Sequence, residues 1–145
     1  MPGFFISALR RDAPSVPMTR DLRPARRVVL AVAPDLFFAA RIAETARAAG
    51  VTLIQCPAGQ ARELCALEQP DLVILDLHGP DDPLGVVRDL KRDPATRGVP
   101  IAGYYAHVDQ ETRRAAEAAG VDPVLPRSAF TARLAQLLTG AGAEP

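Results

Sequence analysis

Residues 70–101 read PDLVILDLHGPDDPLGVVRDLKRDPATRGVPI, and this stretch decides the fold. It opens with an aliphatic run, 72–75, that is apolar on both faces, which is typical of a central strand in a parallel sheet covered on both sides. Asp76 closes the run, and turn-forming residues follow it. Apolar residues then recur at helical spacing over 84–91. The stretch therefore predicts a strand, a loop and a helix that leads to the next strand.

The same alternation of short aliphatic runs and helical stretches continues on both sides of this unit. It predicts parallel strands joined by right-handed crossovers. We expect an α/β fold of the flavodoxin-like type, a doubly wound five-stranded parallel sheet with strand order 2-1-3-4-5 and helices on both faces. Strands are predicted at 28–33, 51–56, 72–76, 101–106 and 122–125. Helices are predicted at 36–49, 61–67, 84–91 and 110–119, with a last one beginning at a Ser128 cap and reaching Leu138.

Length and composition indicate a single domain with two unfolded ends. The chain has 145 residues, enough for one domain. Residues 1–26 carry four prolines and no hydrophobic period, so we expect a disordered N-terminal arm, in which Met18 is an alternative start to Met1. The folded domain is predicted at 27–140, followed by a disordered tail at 141–145.

Charge and hydropathy exclude several classes of function. Lys plus Arg and Asp plus Glu number 17 each, so the basic excess that would neutralise nucleic-acid phosphates is missing. No apolar run approaches the roughly 20 residues of a membrane span, and no signal peptide is recognisable, so we expect a cytoplasmic protein. Cys56 and Cys65 have no metal-site spacing and are predicted to be buried thiols. Nucleotide-binding and hydrolase motifs are absent, which argues against an enzyme.

Polar side chains gather where the predicted strands end, the edge at which open α/β sheets bind ligands. Asp35 follows the first strand, Asp76 ends the third, and Arg127 follows the fifth. Asp35 is open to two interpretations, because it can cap the first helix or serve as a ligand in the site. Asp109 is predicted to cap the fourth helix.

The chain resembles the receiver domains of bacterial response regulators over residues 27–138. The resemblance is carried by 70–101, with an acid ending the third strand and a proline four residues later, by the link DPATRGVPI, and by AH at 106–107 and AAG at 118–120. It implies a phosphoacceptor at Asp76, which would take a phosphoryl group from a histidine kinase in two-component signal transduction or a phosphorelay. It also implies a Mg²⁺ ion held by Asp76 and an acidic pair after the first strand.

The chain departs from the receiver pattern at most other positions of that site. Ala33 and Pro34 stand where the acidic pair is expected, unless a shift of one residue gives the second position to Asp35. With that shift, Asp35 and Asp76 would form the metal site. Tyr105, followed by Ala106, replaces the small hydroxyl residue that usually ends the fourth strand. Arg127 replaces the usual lysine.

These departures predict a weakened or locked switch. Arg127 cannot lose its proton and can form a bidentate ion pair with a carboxylate. A permanent ion pair between Arg127 and Asp76 would imitate the charge balance that phosphorylation creates. We therefore expect an atypical single-domain receiver, a pseudo-receiver, which acts through protein–protein interaction with weak or no phosphorylation of Asp76 and whose Mg²⁺ site is weakened or lost.

The resemblance also implies an output face on the fourth helix, fifth strand and fifth helix, here carrying Arg113, Arg114 and Arg133. Its expected partners are a histidine kinase or another signalling protein, or a second copy forming a homodimer, with no nucleic acid and no membrane. Two alternatives remain open. One is a working phosphoacceptor that uses Mg²⁺, and the other is a small-molecule binder on a flavodoxin-like fold.

Overall fold

The computed structural model describes residues 26–106 and 109–140. The predicted arm, apart from Arg26, lies outside the described residues, as do His107 and the predicted tail. Within the described ranges, no helix combines the length and the apolar character needed to cross a membrane.

Five parallel strands form one sheet, and their order is β2-β1-β3-β4-β5. The prediction of a flavodoxin-like sheet with order 2-1-3-4-5 is therefore confirmed. β3 lies at the centre with all five residues buried, as its two-sided apolar run indicates. The strands are β1 Val28–Val32, β2 Thr52–Gln55, β3 Leu72–Asp76, β4 Ile101–Tyr105 and β5 Val124–Pro126.

Helices cover both faces of the sheet and enclose two hydrophobic clusters. One cluster packs β-strand side chains against α1 and the C-terminal helices, and the other packs the alternate side chains against α2, α3 and α4. The helices are α1 Leu36–Ala49, α2 Ala61–Glu68, α3 Pro83–Arg92, α4 Gln110–Ala119, α5 Arg127–Ala132 and α6 Leu134–Thr139, and a 3₁₀ turn at Ala58–Gln60 precedes α2.

Helix ends follow the sequence signals at α1 and α4. The Asp35 side chain caps α1, and the Asp109 side chain accepts a hydrogen bond from the Thr112 N–H at the start of α4. The predicted cap at Ser128 is wrong, because α5 begins at Arg127 and its N-cap is Pro126, two residues before Ser128. The predicted last helix is divided at Arg133, so its apolar stripe belongs to two short helices.

The first and last described elements are tied together at the amino ends of the strands. Arg27, which precedes β1, donates from Nε to the Leu138 carbonyl oxygen at 2.6 Å. This contact satisfies one of the carbonyl groups that the last turn of α6 leaves without a helical partner. This hydrogen bond joins two residues that are 111 positions apart in the sequence.

Both cysteines are free thiols, but the prediction that both are buried is confirmed only for Cys65, because Cys56 is half-buried. Cys65 is fully buried in the cluster under α2 and α3, and Cys56 packs against the same cluster from the end of β2. Burial raises the pKa of each thiol above its ordinary value.

Candidate functional site

Asp76 lies at the carboxyl end of the central strand, where the sequence places it. Its residue is 8% exposed, and it is paired in register with Tyr104 of β4. The N–H of His78 donates to Asp76 Oδ1 at 2.9 Å. Among the described residues, Oδ2 has no hydrogen-bond or ion-pair partner. Asp76 is therefore largely buried as a residue, with one carboxylate oxygen held by the chain and the other left available to water or a ligand.

Asp35 is held at the start of α1 by the helix itself. Its Oδ1 accepts from the N–H groups of Phe37 at 2.9 Å and Phe38 at 3.2 Å. These bonds satisfy amides that the first turn leaves free. The Phe38 amide, followed by the Phe37 amide and Arg127, lowers the pKa of Asp35 against an opposing effect of burial. Asp35 is thus a charged cap.

Arg127 is the first residue of α5, and it completes the surroundings of Asp35. Its Nη1 lies 3.4 Å from Asp35 Oδ2. The guanidinium carbon is 5.0 Å from the centre of the Phe38 ring and 5.7 Å from that of Tyr104, both within cation–π range. Arg127 Nε is buried without a hydrogen-bond partner. Ring stacking and one ion pair fix this side chain beside α1.

The structure therefore differs from the sequence hypothesis of an Arg127–Asp76 pair. The acid that Arg127 engages is Asp35, and within residues 26–106 and 109–140 no ion pair involves Asp76. The physical reason is the position of Arg127 at the head of α5, on the α1 side of the sheet, where rings hold the guanidinium. The sequence pattern places both residues at one edge but contains no information about the direction of the long side chain.

Arg127 lies beside an aromatic platform formed by Phe38, Tyr104 and Phe130. Tyr104 was not predicted from the sequence. The Tyr104 ring centre is 4.5 Å from that of Phe38 and 5.0 Å from that of Phe130. Its hydroxyl is buried and has no hydrogen-bond partner among the described residues. Burial, and then the charge of Asp76, raise the pKa of Tyr104 well above its usual range, and Arg127 opposes them. Strand alternation puts Tyr104 and Tyr105 on opposite faces, and the register of Tyr104 with Asp76 decides which of the two faces the site.

Tyr105, the residue predicted in the switch pocket, points to the other face. It is 4% exposed and belongs to the cluster under α2, α3 and α4. Its neighbour Ala106 does line the groove beside Arg127. Of the three predicted pocket residues, the structure brings Ala106 and Arg127 together and turns Tyr105 away.

Two separate cavities flank the strand ends. Asp76 lines a cavity of about 350 Å³ that is formed by the ends of β1, β2 and β3 and the loop before α3. Asp35 and Arg127 line an open groove of about 1180 Å³ between α1 and α5. Asp35 and Asp76, the two predicted metal ligands, therefore face different spaces, and the structure does not bring them together.

The residues around Asp76 do not fit a dedicated Mg²⁺ site. Ala33 and Pro34 line the cavity where receivers are expected to carry acids, and Asp81 from the next loop is the other carboxylate on its wall. In the described part of the chain, no three His, Cys, Asp or Glu residues cluster as metal ligands would. Mg²⁺ demands near-octahedral oxygen coordination, and this set of donors is sparse for it.

The three arginines assigned to the output face differ in their surroundings. Arg113 on α4 pairs with Glu117 at 3.3 Å, Arg114 is exposed, and Arg133 is half-buried between α5 and α6. Ala116, on the inner side of α4, is fully buried in the core. The role of these arginines in output stays a prediction.

Comparison with known proteins yields structural matches only. No family model matches the chain, and no curated protein matches it significantly. A putative response regulator from Chloroflexus aurantiacus superposes with a TM-score of 0.73 at 21% identity, covering 83% of this chain and 100% of the other. The chemotaxis response regulator CheY4 of Vibrio cholerae gives 0.71 at 18% identity, with coverage of 80% and 98%. The Mn²⁺-bound form of response regulator Rcp1 gives 0.63 at 20% identity, with coverage of 81% and 92%.

These matches agree with the resemblance read from residues 27–138. Each is a response regulator, and the identity of each is below 25%. The chain therefore has the fold of response-regulator receiver domains, while the roles of its site residues remain predictions.

Proposed function

We propose that the chain is an atypical receiver that acts in signal transduction through protein contacts, with weak or no phosphorylation of Asp76. The receiver fold supports a place in signalling, and the altered surroundings of Asp76 support the departure from ordinary phosphotransfer. The proposal includes no catalytic turnover, and it places the protein in the cytoplasm of a bacterium.

The separation of Arg127 from Asp76 carries the proposal. Phosphoryl transfer depends on positioning and on neutralising the charge that spreads over the equatorial oxygens. The cation that the resemblance assigns to this task is engaged with Asp35 at 3.4 Å and stacked on two rings. Arg127 is therefore engaged with other groups, and in the described structure it forms no ion pair with Asp76.

The end of β1 supports the same conclusion. Ala33 and Pro34 offer no side-chain oxygen to a metal ion, and the Asp35 oxygens are occupied by α1 and Arg127. A bound Mg²⁺ would supply charge neutralisation for phosphoryl transfer, but here it would depend on Asp76 and on one exposed carboxylate, Asp81. The chain's own donors favour weak metal binding.

The burial of Tyr105 bears on switching. In the receiver domains that the chain resembles, the side chain at this position swings between a buried and an exposed position as the output face changes. Here the ring fills the core between the sheet and α2–α4, where close packing resists rearrangement. We infer that the face carrying Arg113, Arg114 and Arg133 keeps a single conformation. In that conformation it contacts a histidine kinase, another signalling protein or a second copy of the chain.

The experiment compares four proteins by amide NMR after addition of Mg²⁺ and beryllofluoride, a mimic of the phosphoryl group. The native chain and its Asp76→Asn variant should give the same, nearly unchanged spectra. A variant with both Ala33→Asp and Pro34→Asp regains acids at the end of β1 and should respond more strongly. The same double change combined with Asp76→Asn should be silent.

A second candidate, a working phosphoacceptor, is favoured by the free Oδ2 of the buried Asp76. Rcp1 was crystallised with Mn²⁺, so the fold tolerates a divalent cation. Shifts centred on Asp76 in the native chain, together with a mass increase of one phosphoryl group after incubation with acetyl phosphate, would establish this candidate and refute the first.

A further inference from the structure

We propose that the cavity of about 350 Å³ beside Asp76 binds a small organic cation, a primary or secondary amine attached to an apolar body. This goes beyond the proposed signalling role, because binding of such a molecule requires neither a phosphodonor nor a metal ion. The argument rests on the charge, the donors and the shape of the cavity wall.

The charge of the wall is negative and uncompensated. Asp76 and Asp81 both line the cavity, and its described lining contains no Lys, Arg or His. Asp76 is more than nine-tenths buried, and its Oδ2 has no partner in the described parts of the chain. A buried carboxylate of this kind gains most from a charge-assisted hydrogen bond, which an ammonium group supplies.

The backbone of the wall selects against an anion. Four prolines contribute to it, and a proline has no N–H to donate. Gln55 commits one of its two amide N–H donors to the Ala39 carbonyl at 3.1 Å. The wall therefore has fewer N–H donors than a wall without proline, which favours a ligand that brings N–H donors of its own. The four prolines are Pro34, Pro57, Pro80 and Pro83.

The remaining wall is apolar and closely packed. Val32 and Leu75 contribute their side chains from the ends of β1 and β3. The loop after β3 approaches Pro34 so closely that a Cβ added at Gly79 would lie 3.2 Å from Pro34 Cγ. The cavity exceeds the space of a single metal ion and falls within the size range of small-molecule sites. These features call for an apolar body behind the amine.

The test is an NMR titration of the full chain with three probes of one shape, namely 2-phenylethylamine, 2-phenylethanol and 3-phenylpropionate. The amine should shift the amide signals of the non-proline residues at 33, 55–58 and 76–82, while the alcohol and the acid bind at least about tenfold more weakly, the equivalent of about 1.4 kcal/mol. Asp76→Asn should weaken amine binding by a similar factor. Asp122→Asn, an exposed acid beyond the other ends of the strands, should leave it unchanged.

A second measurement uses Cys56, which lines the cavity, whereas Cys65 is fully buried. The amine should slow alkylation of Cys56 by iodoacetamide, and the alcohol should not. The proposal is overturned if the three probes bind equally, if the shifts fall outside the cavity, or if millimolar amine produces none. Because no phosphodonor or metal is added, these outcomes are independent of the phosphorylation experiment.

Discussion

The two acids at the strand ends, Asp35 and Asp76, are surrounded very differently. Asp35 has both oxygens occupied, one by the first turn of α1 and one by Arg127, and it faces an open groove. Asp76 has one oxygen bonded to the His78 N–H and faces a cavity whose other walls are mostly apolar. Both oxygens of the half-buried Asp35 have partners, whereas among the described residues only one oxygen of the more deeply buried Asp76 has one.

This contrast shows how the site is divided between stability and binding. The Asp35 side joins α1, β4 and α5 through an ion pair and three rings, so its contacts contribute to folding. The Asp76 side keeps one carboxylate oxygen without a partner among the described residues, and that oxygen remains available to a ligand. Proteins often retain such unpartnered groups where function requires them.

The largest expected effect comes from removing the aromatic platform on the Asp35 side. Phe130 is fully buried against Tyr104, so Phe130→Ala should lower the free energy of unfolding by about 3–5 kcal/mol. Phe37→Ala is the matched control, because Phe37 is 90% exposed, and it should change stability by less than about 0.5 kcal/mol. Urea unfolding measures both variants. Similar losses of stability in the two variants would contradict the stabilising role of the aromatic platform.

The two acids should respond oppositely to loss of charge. Asp76→Asn removes a half-satisfied buried carboxylate and should raise the free energy of unfolding by about 1–2 kcal/mol. Asp35→Asn keeps a side chain that can cap α1 but takes the charged partner from Arg127, so it should lower the urea midpoint. A loss of stability in Asp76→Asn would mean that the carboxylate has a stabilising partner besides the His78 N–H.

Tyr104→Phe tests the orphaned hydroxyl. The hydroxyl is buried with no hydrogen-bond partner, so its removal should be neutral or stabilise the protein by up to about 1 kcal/mol. Tyr104→Ala, which removes the ring as well, should be strongly destabilising and serves as the comparison. A clear loss of stability in the Phe variant would indicate that the hydroxyl is bonded in solution.

The smallest effect is the pH dependence of the Asp35 side. The pKa of Asp35 is lowered in the folded protein, so the unfolded chain binds protons first as the pH falls. The contribution of Asp35 is therefore fully present above about pH 4 and is lost as the pH drops through its folded pKa. Thermal unfolding of Asp35→Asn should depend less on pH in that range than unfolding of the native chain. If the stability of the two proteins fell by the same amount over this pH range, Asp35 would not be the source of the pH dependence.

Much of the fold could be predicted, because the patterns that encode it are local. The aliphatic run ending at Asp76, repeated helical spacing and glycine-terminated helices were sufficient for the strand order and for α1 and α4 to the residue. The break at Arg133 was missed, since the hydrophobic stripe continues unchanged across two helices.

The site was less predictable, because it depends on side-chain direction. The position of Asp76 follows from the end of a strand, but the partner of Arg127 is decided by rings that come from α1, β4 and α5. Tyr104 and Tyr105 differ by one position and face opposite sides of the sheet, so choosing between them required the register. Asp81 reaches the cavity from an irregular loop, for which no periodicity exists.

The contact between Arg27 and Leu138 brings the first and last described elements to one corner of the molecule. That corner lies at the amino ends of the strands, a full strand length from the acids at the opposite edge. A fluorescent label placed at this corner would therefore lie on the side remote from Asp76.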